Sequence, residues 1–431
     1  MKAIINCRVY DFHTYLENQY VVFEKDIIHI RPMNEFVDKG YQIIDGANKI
    51  LMPSLVVGHT HLYSKLSRGM SASLQPNNFK EILEQLWWKL DRNLDNNMNY
   101  YSGVVGASDY VLNGVTTIID HHASGEISES LSNIRDGVSK IGLRGIYCFE
   151  TSDRFDVDLC IQENMNFIKS NNTPFSKGIF GLHASFSLSD ETLTKVKEVV
   201  KNNPIHIHVA ESKYDVDDCM KKYNMTVVER LDYFDLLNKN SIIVHGIYLT
   251  DKELDLIKKN GCIVALNVTS NMNNGVGIPS YKKLKEKGIK VIIGNDGLSS
   301  SITTEYLNLY YVSHLLEGNI TGFSLDDLKE IIVNTYEYVC TILGIKIGRI
   351  KEGYKADLLL HDFLAPTPVN KDNILGHLFF GYFNSFRPSD VFVNGKQIVD
   401  HYTLNQDTNS IYLESKKQAQ SLWKKFTDEV K

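Results

Sequence analysis

The sequence predicts an α/β protein: a (β/α)8 barrel of the TIM type, joined to a small β-sandwich built from both ends of the chain. Three observations point there. Between residue 55 and about residue 320, eight short apolar runs alternate with amphipathic stretches. The runs are apolar at nearly every position, the mark of strands buried on both faces. Eight of the fourteen histidines fall on or beside the ends of those runs. A parallel barrel carries its reactive groups at the C-terminal ends of its strands, so scattered core histidines would not line up this way.

Composition narrows the function classes. With 431 residues, 43% of them hydrophobic, the chain can bury the core of one large domain beside a smaller one. The net charge is -6 and the basic residues are scattered, which excludes a nucleic-acid footprint as the expected partner surface. No apolar run reaches membrane-spanning length and the N-terminus lacks a signal-peptide core. The expectation is a cytoplasmic protein with neither a membrane nor a nucleic-acid partner. The six cysteines include no Cys-x-x-Cys pair. They read as reduced, mostly buried thiols, and any metal is left to histidine and carboxylate.

Taken in order, residues 1–54 hold short strand-like runs at 3–9, 20–23, 26–30 and 41–44. That is too little for a free-standing sheet domain. The eight barrel runs follow, at 55–61, 115–121, 143–149, 178–184, 204–210, 241–246, 262–267 and 290–296, with helical stretches such as 98–113, 190–201 and 226–237 between them. A doubly wound open sheet is the alternative, but it would carry a glycine-rich loop after its first strand. That place holds His59-Thr60-His61. Short strands return at 356–361 and 390–399, where Asn394-Gly395 between apolar runs signals a two-residue hairpin. The expected domains are 1–54 with 350–405 as the composite sandwich, 55–349 as the barrel, and 406–431 as a closing segment with a helix at 415–430.

The strand ends carry the chemistry. His59 and His61 are two apart, so a strand presents both imidazoles on one face. Strand two ends in Asp120-His121-His122, strand three in Glu150, strand four near His183, strand five in His206-Ile207-His208-Val209-Ala210-Glu211, strand six in His245, and strand eight in Asn295-Asp296. A single histidine closing a strand is more often structural than a ligand. The set is more specific: His-x-His, a histidine on strand five and an aspartate on strand eight give three imidazoles and one carboxylate. That set suits one Zn²⁺ or Fe²⁺ ion with room for water.

At this point the pattern resembles the amidohydrolase superfamily, in its cytosine deaminase and chlorohydrolase branch. The matching pieces are Met52-Pro53-x-Leu55 leading into His59-x-His61, Gly114-Val115-Thr116-Thr117, His208-Val209-Ala210-Glu211, His245-Gly246, Ser270-Asn271-Met272, Asp296-Gly297 and Gly348-x-Ile350-x-x-Gly353-x-x-Ala356-Asp357. The SsnA-type aminohydrolases are the most similar group, through Ser67-Arg68-Gly69-Met70, Leu86-Trp87-Trp88, Asp120-His121-His122 and Cys148-Phe149-Glu150-Thr151.

The resemblance implies one divalent metal, Zn²⁺ before Fe²⁺, held by His59, His61, His208 and Asp296. Asp296 would also take a proton from the attacking water, Glu211 would protonate a ring nitrogen of the substrate, and His245 would stabilise the tetrahedral centre or merely orient its neighbours. His206 shares a strand face with His208, and geometry alone could choose either; the family's His-x-x-Glu spacing assigns the ligand role to His208. Two-metal relatives carry a bridging lysine near the end of strand four. Here Lys177 opens that strand, at the wrong end.

Candidate substrate contacts are His183, Arg68, Trp88, Tyr63, His121 and Glu150, with Trp87, His122 and Asp153 behind them. The Trp87-Trp88 pair, on a helical stretch, reads more often as core than as a substrate wall, although a wall would suit a planar ring, and Arg68 suits a carbonyl or carboxylate. The implied reaction is deamination of a purine-, pyrimidine- or amidine-like heterocycle with release of ammonia, by a homodimer. Halide displacement or cyclic-amide hydrolysis on the same scaffold is the first alternative. A non-catalytic metabolite-binding or assembly protein is the second.

Overall fold

The computed structural model describes residues 1–430. Its parallel strands fall into two sheets. Leu55–Thr60, Val115–His122, Arg144–Phe149 and Ser176–Gly178 form one; Phe180–Ala184, Ile205–Val209, Ile242–His245, Ile263–Leu266 and Val291–Ile293 form the other. The fourth predicted run is shared between them. Ser176–Gly178 and Phe180–Ala184 flank Ile179, whose N–H still bonds the Tyr147 carbonyl at 3.0 Å. Beyond it Thr151 and Leu182 form a parallel bridge, and at the opposite edges Thr60 and Asp296 form another. The two sheets therefore meet at both pairs of edges.

Nearly every residue of these strands is buried. Their apolar runs face a core on one side and the helices on the other, as both-face burial demands. The helices are built to cover them. In Asp190–Val200, Leu193, Val196 and Val200 fall on one buried stripe, and Ser189 caps the start by accepting the Thr192 N–H. Each such side chain contributes roughly 1.5–3 kcal/mol by leaving water. A charge at Val196 would break the contact.

Strands from the two chain ends pair as the sequence predicts. Lys49–Pro53 runs parallel to Lys2–Tyr10 on one side and antiparallel to Leu358–Asp362 on the other, with Met52 opposite Leu359. Hydrogen bonding makes one nine-stranded sheet from both ends, not two separate sheets. That sheet is rolled. The Phe23 and Phe392 rings lie 5.4 Å apart, although three strands separate theirs in the hydrogen-bonded order. A flat sheet would hold them about 19 Å apart. The Asn394-Gly395 hairpin forms between Val393 and Lys396, with φ of 51° and 76° at its two central residues.

A buried ion pair ties this sheet to the parallel strands. Arg144, in the third of them, donates from Nε to Asp357 Oδ2 at 2.6 Å and from Nη2 to Oδ1 at 3.0 Å. The last helix, Thr408–Val430, starts earlier than predicted, with Asp407 accepting the Ser410 N–H. Its Leu422 and Phe426 pack with Tyr63, Leu66 and Leu90, and Trp423 donates to the Leu66 carbonyl. The chain's end thus buttresses the segment that follows His61. Among the described residues, no helix is long and apolar enough to cross a membrane.

Candidate metal centre and active-site pocket

The site sits where the first and last parallel strands touch. Gly294 permits the approach: a Cβ there would lie 2.5 Å from the His59 carbonyl oxygen. That carbonyl accepts the Asn295 and Asp296 N–H groups at 3.0 and 3.2 Å, which hooks Asp296 over the strand end. Asp296 and His245 both take left-handed backbone, φ 56° and 68°. Such strain costs about 1–3 kcal/mol and gathers at functional sites.

Four side chains converge. His61 Nε2 lies 3.2 Å from His208 Nε2 and 3.1 Å from Asp296 Oδ1. His59 Nε2 is 4.0 Å from the same carboxylate oxygen, and the nearest ligand atoms of His59, His61 and His208 all lie within 4.8 Å of one another. The opposite ring nitrogens are occupied. His61 Nδ1 donates to the His121 carbonyl at 2.6 Å, and His208 Nδ1 to the His183 carbonyl at 3.0 Å. His59 Nδ1 meets His206 Nε2 at 2.8 Å.

The electrostatics fit a cation. Burial, reinforced by the surrounding imidazoles, pushes His59, His206 and His208 well below the usual histidine range, so these rings are neutral. Burial also pushes the Cys148 thiol up, and it keeps its proton. His61 is the exception. Burial lowers it, but the hydrogen bond and charge of Asp296 prevail and raise it to about 9. A proton there stands where a divalent ion would. His59 Nε2 is buried without a partner, the state expected of a ligand atom seen without its ion. The donor set therefore fits one divalent metal.

A model of the amidohydrolase family matches residues 50–398. The chain belongs to the amidohydrolase family. It is a metal-dependent hydrolase of carbon–nitrogen bonds, of the aminohydrolase type. It is 28% identical over 366 residues to a 5-methylthioadenosine/S-adenosylhomocysteine deaminase of Thermococcus sibiricus, covering 83% of this chain and 84% of the relative. It is 30% identical to a 5'-deoxyadenosine deaminase of Methanosphaera stadtmanae, covering 80% and 81%. Among solved structures, an adenosine deaminase from Xanthomonas campestris with bound zinc superposes with a TM-score of 0.85 at 20% identity, over 97% of this chain and 98% of that one. The zinc complex of atrazine chlorohydrolase from Arthrobacter aurescens gives 0.81 at 19%, over 97% and 100%. These two likenesses show the fold.

In this amidohydrolase the pocket opens beside the metal cluster. His61, His208, Glu211 and Asp296 form its floor, and Tyr63, Trp88, Phe186 and His183 stand around it. Glu211 Oε2 lies 3.5 Å from His245 Nε2, which is itself 3.9 Å from Asp296 Oδ2. Burial and the nearby charges of Asp296 and Asp215 push Glu211 well above the ordinary carboxylate range, so it holds a proton. Burial acts against Asp296, but His61 outweighs it and keeps this carboxyl ionised. Trp88 faces the His183 ring at 6.2 Å and the Phe186 ring at 6.3 Å.

Not every expected contact is brought in. Arg68 points away from this pocket. Its side chain is 62% exposed and pairs with Asp109, because the chain turns outward after the short helix Leu62–Ser67, through Gly69 at φ 78°. His121 lies behind His61, not on the wall, and its Nε2 donates to the Leu182 and His206 carbonyls. His122 is fully buried with neither ring nitrogen partnered; we have no physical account of it. Lys177 lies beside Ile146 in the sheet, at the opposite end of the strand from His183.

Other residues were given no role in the sequence, though Ser270 and Asn271 stood in a matching segment. Asn271 Oδ1 accepts the His245 Nδ1–H at 2.7 Å, and Ser270 donates to Asp296 Oδ2 at 2.6 Å. Both follow strand Ile263–Leu266, so the strand-end rule would have found them had it been applied there. Arg154 had no local signal. It bridges Asp91 at 2.9 Å and Glu150 at 2.5 Å and lies over the Trp88 ring.

Proposed function

We propose that the chain is a single-metal deaminase that removes the exocyclic amino group of an adenine-type ring with release of ammonia. The contact that carries the reading is Glu211 against His245, directly above Asp296. The deaminase relatives support the choice of ring. On this reading His59, His61, His208 and Asp296 hold one divalent ion, Zn²⁺ first, and the lack of a lysine at the pocket end of strand four supports one ion over two.

When bound, the ion supplies a water acidic enough to give hydroxide near neutral pH. Glu211, protonated beforehand, hands its proton to the ring nitrogen next to the amino-bearing carbon, making that carbon electrophilic. His245 gives its Nδ1–H to Asn271, so its Nε2 is bare. It can take a proton from the attacking water and, once charged, donate to the oxygen of the tetrahedral centre. Asp296, ionised and held by Ser270, is the alternative proton acceptor. The aromatic side chains Trp88 and Phe186, which touch each other at the pocket wall, would offer apolar surface to a planar ring. The internal cavity is about 80 Å³, less than the ~150 Å³ that holds benzene. A nucleoside would therefore need the residues lining the pocket, Phe79 and Trp88 among them, to shift.

The reading of the fold extends in the same way. The two joined parallel sheets form one closed barrel over 55–349, and the rolled terminal sheet of 1–54 and 350–405 serves as the sandwich. A homodimer would use the exposed Tyr311, Leu315 and Phe380. The test of function is ammonia release by zinc-quantified protein from adenosine, 5'-substituted adenosines, guanine, cytosine, pterins and guanidino compounds. Turnover of the adenine-type members is expected. Chloride release from a chlorinated triazine, with none of these deaminated, would favour the chlorohydrolase reading.

A further inference from the structure

A second histidine stands behind the first metal-facing one. His206 Nε2 lies 2.8 Å from His59 Nδ1, and His206 Nδ1 lies 3.5 Å from the sulfur of Cys148. Cys148 points its thiol at the Asp120 carbonyl, 3.7 Å away. All three side chains are fully buried, so water does not compete for these contacts.

The direction of each bond in this chain follows from what its end can do. The thiol proton is directed at the Asp120 carbonyl, which can only accept. The sulfur then has only lone pairs to offer, and His206 Nδ1 must donate to it. A neutral imidazole has one N–H. His206 Nε2 is therefore bare, and His59 Nδ1 must donate in turn. That leaves His59 Nε2 as a lone pair, on the atom that is buried without a partner.

We infer that Cys148, acting through His206, is a positioning residue that selects the metal-binding tautomer of His59. The inference rests on reading His59 as a ligand. A ligand histidine ordinarily gives its second N–H to a carboxylate or a carbonyl, which can only accept. His61 and His208 do so, on the carbonyls of His121 and His183. His59 faces another imidazole, and either ring of such a pair can donate. The thiol, its own proton committed to the Asp120 carbonyl, removes that ambiguity. With alanine at 148, His206 is free to carry its proton on Nε2 and donate to His59 Nδ1. The His59 proton then moves to Nε2, where the ion belongs.

The test uses metal-free, full-length protein labelled with ¹⁵N-histidine. Long-range ¹⁵N–¹H spectra report which ring nitrogen carries each proton, a readout that loss of packing alone does not reverse. His59 and His206 are both expected to be protonated at Nδ1. A wild-type spectrum with His59 protonated at Nε2 overturns the inference, and it decides even if the variants fail to fold.

In Cys148→Ala the tautomer should shift, and zinc affinity by chelator competition should fall about 10- to 100-fold. Cys148→Ser, whose hydroxyl can both donate to the Asp120 carbonyl and accept from His206, should restore both. Unchanged zinc affinity in Cys148→Ala overturns the inference. Failure of the wild-type protein to take up zinc at all sinks the metal-centre reading itself, and the role of Cys148 with it.

Discussion

The Nε2 of His245 lies 3.5 Å from Glu211 Oε2, while its other ring nitrogen is committed to Asn271. The two groups that would move protons are thus in mutual reach, and only one nitrogen of His245 is free to take part. Glu211→Gln keeps the shape of the pocket floor and removes the acid. Turnover should drop roughly 100- to 10,000-fold with zinc content unchanged. Steady-state kinetics beside elemental analysis checks it, and full activity in the variant would remove Glu211 from the mechanism.

Asn271→Leu should act on His245 alone. The variant leaves a buried N–H without its acceptor, a loss of about 1–3 kcal/mol. We expect kcat to fall about 10- to 100-fold while KM and bound zinc stay near wild type. A rise in KM with kcat intact would assign Asn271 to substrate binding instead.

His208→Ala and Asp296→Ala should each lower the zinc retained after dialysis, measured against protein concentration. His206→Asn should lower it less, because His206 contributes no ligand atom itself and acts only through the far nitrogen of His59. Equal zinc in His208→Ala and the wild type would move the ligand role away from His208.

These expectations differ in how far the sequence alone could reach them. The convergence of His59, His61, His208, His245 and Asp296 was legible because strand-end position and period-two spacing are local properties of the chain. Arg68 was misread because the turn at Gly69 sends it outward, and a strong cation near a strand end gives no hint of direction. Arg154 was invisible. Glu150 is only four residues away, but Asp91 lies on a separate segment that only folding brings to it. The rolled terminal sheet was legible as paired chain ends, through alternating strands and the Asn394-Gly395 turn. Its roll brings Phe23 against Phe392, a contact that no periodicity encodes.

Asp357 stands in the segment that resembled the family, but the sequence assigned it no task. The structure gives it both nitrogens of Arg144 and the Asn394 N–H. Asp357→Ala leaves a guanidinium buried and unpaired, which should destabilise the protein by about 3–5 kcal/mol. Urea unfolding of the metal-free protein measures this. Loss of less than 1 kcal/mol would mean that Arg144 finds water or another acceptor.

Glu305 supplies a pH dependence. It is fully buried and accepts the Thr269 N–H at 3.0 Å. Burial pushes its carboxyl up from 4.5 to about 7. Between those values the folded chain holds a proton that the unfolded chain has released, so this group's stabilising contribution is present below pH 4.5 and is lost as pH rises to 7. Glu305→Gln removes that slope. Relative to wild type, the variant should gain on the order of 2–3 kcal/mol between pH 4.5 and pH 8, read from paired urea midpoints. A difference that does not change with pH would place the Glu305 carboxyl at its ordinary value.

The bridge between Thr60 and Asp296, with the Thr60 hydroxyl donating to the Asp296 carbonyl at 2.8 Å, joins positions 236 apart in the chain. At ribosomal speed, roughly 10–50 s separate the synthesis of those two residues. The His59–His61 pair therefore waits, half a centre with no carboxylate, while most of the protein is still being made. A nascent chain holds only a weak two-point grip on any ion it meets. On the proposed ligand set, tight uptake would begin only when the last parallel strand docks, and a captured ion would then be a receipt for a finished fold.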